Sequence, residues 1–127
     1  MTGNEVLKLA YDLMSEEESS NTEFTGYAPG ILTVLLAETF PLNNGLRESR
    51  GLTPMEEMPT VTAETMDREL TYEPEVQRTV LPYGPCEKYA DGEGDTVKTG
   101  YYNSLYANAC NACLRGIPQE DGVVDVY

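Results

Sequence analysis

Histidine is absent from the 127 residues, and tryptophan is absent too. Without histidine the chain lacks the commonest general base and the commonest metal ligand. Basic residues are scarce: eight Lys and Arg stand against twenty-two Asp and Glu, a formal charge of -14. Proteins that grip nucleic acid neutralise phosphates with Lys and Arg, so this balance disfavours binding to DNA, RNA or an anionic membrane. It suits an acidic surface that DNA slides past without sticking. No apolar run approaches the roughly 20 residues that cross a bilayer; the longest is Ile31-Leu32-Thr33-Val34-Leu35-Leu36-Ala37. The opening MTGNEVLKLAYDLMSEEE lacks the basic start and cleavage pattern of a signal peptide. Three cysteines, an odd number, then point to a reduced intracellular protein.

What is present is enough for one modest domain. A hydrophobic share of 40% is too high for a wholly disordered chain. Thr2 and Glu5 fit a capping box, and Val6, Leu9, Ala10, Leu13 and Met14 recur at helical spacing after it. The acidic run Glu16-Glu17-Glu18 reads as a solvated loop. A second helix is expected over residues 22–40, with Phe24, Tyr27, Ala28, Ile31, Leu32, Leu35 and Leu36 as a broad core stripe. Pro29 should kink or restart it, and Pro41 with Asn43-Asn44-Gly45 should close it in a turn.

Residues 45–72, punctuated by Gly45, Gly51, Pro54 and Pro59, show no sustained period. Val61 and its flanking threonines suggest a short strand, and residues 62–70 a turn of helix. A long irregular connection in a small domain usually serves a partner, which makes Met58 and Val61 candidate contact residues. A third helix should start near Tyr72-Glu73-Pro74, with Pro74 in its first turn, and turn Val76, Val80, Leu81, Tyr83 and Cys86 inward, with Gly84 permitting close packing. A fourth should cover residues 96–114, with Tyr102, Leu105, Tyr106, Ala109, Cys110 and Cys113 on one side and Gly116 and Pro118 as its stop. The tail over residues 119–127 ends in Val123-Val124-Asp125-Val126-Tyr127, a β-prone pentapeptide with no sheet of its own to join. Val123, Val124, Val126 and Tyr127 are therefore candidate partner contacts by strand addition. The expected fold is mainly α: a small bundle of about four helices over residues 1–118, with an extended arm beyond.

Signatures of catalysis are missing. Catalytic triads, zincin motifs and phosphate-binding glycine loops do not occur, and no cofactor is expected. Asp91-Gly92-Glu93-Gly94-Asp95 lacks the ligand spacing of a calcium loop and reads as an acidic turn. Cys110-Asn111-Ala112-Cys113 has C-x-x-C spacing, but it falls near a helix C-terminus, where the dipole opposes a thiolate. Cys86 is the remaining thiol, so a zinc site would need a carboxylate; the pair reads as two small packed residues. Tyr83, Tyr89, Tyr101, Tyr102 and Tyr106 read as core or interface residues with hydroxyls at the rim.

The order of segments resembles the small head-to-tail connector (adaptor, or head-completion) proteins of tailed bacteriophages. The likeness runs over residues 4–115. It is carried by Leu35-Leu36-Ala37-Glu38, Met58-Pro59-Thr60-Val61-Thr62, Leu70-Thr71-Tyr72-Glu73, Val80-Leu81-Pro82-Tyr83-Gly84, the acidic turn, and Tyr101-Tyr102-Asn103-Ser104-Leu105-Tyr106. The resemblance implies a helical-bundle subunit of a ring, of about twelve copies, beneath the portal protein at the capsid vertex. Such a ring extends the DNA channel and docks the next neck or tail protein; the chain would reside in the virion neck after assembly in the host cytoplasm. The C-terminal segment would reach the portal or a neighbouring copy. A rival reading is an acidic DNA mimic that inhibits a DNA-binding partner. That reading calls for acids on one convex face, whereas here they gather in loops and helix ends.

Overall fold

The computed structural model describes residues 1–115. They form five α-helices: α1 (Gly3–Met14), α2 (Thr22–Glu38), α3 (Phe40–Ser49), α4 (Tyr83–Gly92) and α5 (Thr96–Arg115). A long connection separates α3 from α4. It holds a short 3₁₀ turn at Ala63–Thr65 and a π-helical turn at Val76–Val80. The expected small helical bundle is what the chain builds, with five α-helices where the periodicity suggested four.

α1 starts as its capping box dictates. The Glu5 amide donates to Thr2 Oγ1 at 3.1 Å, and the Thr2 amide donates to Glu5 Oε1 at 2.8 Å. Each bond occupies a donor that a bare helix end would leave unpaired. The buried face is rotated from the expected one: Val6, Leu7, Ala10 and Tyr11 are buried while Leu13 is exposed. The polar end of Tyr11 makes this possible. Its hydroxyl reaches Thr25 Oγ1 at 2.8 Å and donates to the Asn21 carbonyl at 3.2 Å, so the ring can be buried with its polar atom satisfied.

α2 runs unbroken through Pro29. It stops just short of the expected end, and a new helix begins where a turn was expected. Thr39 ends α2, and Pro41 lies in the first turn of α3, where its missing N–H costs nothing. Asn43 and Asn44 stay helical because tertiary partners take their side chains. The Glu73 amide donates to Asn43 Oδ1 at 2.7 Å, in the interior.

The third helix begins at Pro74 as anticipated but widens into the π turn, in which the Leu81 amide donates to the Val76 carbonyl at 3.0 Å. Pro82 lacks the donor that would continue the ladder, so the chain restarts as α4 with Pro85 in its first turn. The buried residues Leu7, Leu32, Leu36, Val76, Val80 and Leu81 form the main core between α1, α2 and the π turn. Each such side chain contributes about 1.5–3 kcal/mol on burial. A smaller cluster of Ala10, Cys86, Ala90 and Tyr102 joins α1, α4 and α5. Val61 belongs to no strand; the one isolated bridge in the described residues pairs Thr2 with Glu69.

Candidate interaction surface

The connection over residues 50–75 is irregular but firmly attached. Asn44 acts as a substitute strand, donating from Nδ2 to the Met55 carbonyl at 3.0 Å and accepting the Met55 amide at 2.8 Å. Thr33 on α2 does the same for Val61: its hydroxyl accepts the Val61 amide at 2.9 Å and lies 3.0 Å from the Val61 carbonyl. Farther on, Arg50 clasps the start of the π segment, donating to Glu73 Oε1 at 2.6 Å and to the Glu75 carboxylate. Arg47 adds a 3.5 Å contact to Glu73 and donates to the Thr53 carbonyl at 2.7 Å. The Arg50 hydrogen bond holds the Glu75 carboxyl below its usual range, and Glu75 then Glu73 raise the Arg50 guanidinium. Solvent screens these pairs, so they fix where the segment lies more than they stabilise the fold.

Of the expected contact residues, Met58 and Val61 differ in their surroundings. Met58 is 55% exposed and free to meet a partner, whereas Val61 is 7% exposed and packs in the main core. Val123, Val124, Val126 and Tyr127 lie outside the described residues.

Two other surfaces stand out, and the sequence reading passed over both. Tyr27, assigned above to the core stripe, is 62% exposed, and Val34 two turns later is 55% exposed. With the half-buried Ile31 between them they form an apolar outer stripe on α2. Beside it a groove of about 540 Å³ runs between α2 and α4, lined by Phe24, Tyr27, Ile31, Lys88, Tyr89 and Glu93. Its floor is set by the Phe24 and Tyr89 rings, edge to face at 5.2 Å, with the Tyr89 hydroxyl donating to Asn21 Oδ1 at 2.8 Å. The second surface is the outer side of α5. Ser104, Ala107, Asn108 and Asn111 are exposed there, and residues 99–114 contain no charged side chain. No protein-family model, curated protein or solved structure matches the chain.

The signal that locates both faces is one of charge and breadth. α2 is apolar around most of its circumference, the pattern of a helix buried on more than one side. α5 is a 20-residue helix that buries only Tyr102 and Cys113 in this chain. An amphipathic stripe search finds the inward sides and overlooks both outward ones.

The thiols offer little chemistry. Cys86 and Cys113 are buried and Cys110 is half-buried. Burial pushes all three upward, Cys86 to about 12, which keeps them neutral and poorly nucleophilic at ordinary pH. Among the described residues no three His, Cys, Asp or Glu side chains are placed to hold a metal. The acidic turn serves the fold locally. Asp95 accepts the Lys98 amide at 3.0 Å and so caps α5, after Gly94 turns the chain at a φ of 74°. Of the tyrosines, Tyr102 is buried and Tyr101 exposed. Burial, with Glu38 at 3.1 Å from its hydroxyl, raises the Tyr106 phenol.

Proposed function

We propose that this chain is a non-enzymatic structural subunit of a ring-shaped head-to-tail connector in a tailed bacteriophage, docking on the portal protein and continuing the DNA channel. The observation that carries this reading is a small all-helical bundle whose acids lie outside its core. Among the described residues Glu73 is the one buried acid, and it is held by Arg47 and Arg50. Such a surface lines a conduit that DNA passes without being held. No helix among the described residues is long and apolar enough to cross a membrane.

The test is direct. The purified chain is mixed with the portal protein of the same virus and imaged by negative-stain electron microscopy. The expected result is a regular ring of added density on the portal; a portal image unchanged by a saturating excess of the chain refutes the reading.

A further inference from the structure

We infer that neighbouring copies meet through the outer stripe of α2 on one copy and the outer side of α5 on the next. This deepens the ring reading and rests on it. Two copies that each carry a charge of -14 repel wherever acids face acids. The outward sides of α1 and α4 carry Glu5, Asp12 and Asp91, acids that outnumber Lys8 and Lys88 there, so neither suits a like-charged neighbour. Residues 25–37 and 99–114 hold no charge at all, and both include exposed helix surface. A basic partner would gain most from the acidic surfaces and nothing from these. A second copy of this chain is the partner for which a charge-free face matters.

Shape decides which face meets which. The α2 stripe presents the side chains of Tyr27 and Val34, while the outer side of α5 presents Ser104, Ala107 and Asn111 as a shallow saddle between the exposed Tyr101 and Leu114. Ridges of large side chains pack into surfaces of small ones, so each face complements the other better than it complements itself. A contact between two different faces is head-to-tail, and repetition of it closes into a ring.

Val34→Glu and Ala107→Glu each place one charge on one face, at exposed positions that the fold does not use. Sedimentation velocity should show wild-type chains assembling beyond a dimer as concentration rises to about 1 mM. Each variant alone should remain monomeric with unchanged helical circular dichroism. An equimolar mixture should stop at a heterodimer, because one intact α2 face can meet one intact α5 face and no more. Tyr27→Glu or Asn111→Glu replaces either variant should it lose its helical signal. Wild type that stays monomeric at the top concentration overturns the assignment, as does a variant that still assembles or a mixture that gives no heterodimer. Should a regular ring form on the portal while the variants still assemble, the ring stands and the face assignment falls. Should no ring form on the portal, the functional reading itself falls.

Discussion

Gly84→Ala is the most exacting test of the packing between α2 and α4. Gly84 is buried in the first turn of α4, directly over Leu35 of α2. A methyl group added there would lie 2.6 Å from Leu35 Cδ2 and 2.9 Å from its Cγ, and closer still to Cδ1. Leu35 is 3% exposed, so its side chain has no open space in which to swing. With three Leu35 atoms under 3.0 Å, relieving the clash lies at the upper end of the overpacking range, about 2–3 kcal/mol, set against about 1 kcal/mol gained when alanine replaces glycine within a helix. The net expectation is a loss of about 1–2 kcal/mol, or roughly 4–10 °C in Tm for a domain of this size. Urea unfolding followed by far-UV circular dichroism measures it without relying on tryptophan. Leu35→Ala alone should cost about 2–5 kcal/mol through its cavity. In the double variant the new methyl occupies part of that cavity, so the two losses should fall short of their sum by about 1 kcal/mol or more. Gly84→Ala as stable as wild type, or losses additive within about 0.5 kcal/mol, would refute the close approach.

Three further outcomes are expected. Asn43→Leu keeps the number and branching of heavy atoms but strands the Glu73 amide in the interior, and should cost about 1–3 kcal/mol in the same urea assay; an unchanged midpoint would mean that the amide finds another partner. Cys86 should resist iodoacetamide in the folded chain near neutral pH, as judged by mass spectrometry. Its thiol ionises at 9.0 when unfolded and about 12 when folded, so its contribution is complete below pH 9 and is lost as pH rises from there toward 12. The slope is about 1.4 kcal/mol per pH unit, and Cys86→Ala, lacking that slope, should lose less stability between about pH 8 and pH 10 than wild type. Deleting residues 119–127 should leave the domain's melting unchanged while weakening its hold on the portal in a pull-down; undiminished binding would rule that segment out as an anchor.

Local signals fixed some elements and misplaced others, for physical reasons that single residues make plain. The start of α1 was legible because its capping box is closed within the first few residues. The break at Thr39 and the helicity of Asn43-Asn44-Gly45 were not, because what holds Asn43 and Asn44 in a helix are Glu73 and Met55, residues distant in sequence. The π turn was hidden likewise: prolines at 74 and 82 announce a disturbance but not its form. At the candidate surface, Met58 is exposed, as a contact residue has to be, whereas the burial of Val61 was not legible because its tether, the Thr33 hydroxyl, comes from α2. The outer faces of α2 and α5 are written in the sequence only as stretches without charge, a pattern that periodicity does not weigh.

The way the connection seats on α1 also sets an order of events as the chain forms. The Asn4 amide donates to the Met66 carbonyl at 2.9 Å, and the Leu70 amide donates to the Met1 carbonyl at 2.8 Å. The first helix therefore acquires this seat only once residues 66–70 have emerged from the ribosome. Contacts of such wide sequence separation slow folding relative to bundles that pair adjacent helices, because the closure entropy comes before the reward. Until the 66–81 segment and then α4 have followed, α1 and α2 are a half-covered pair.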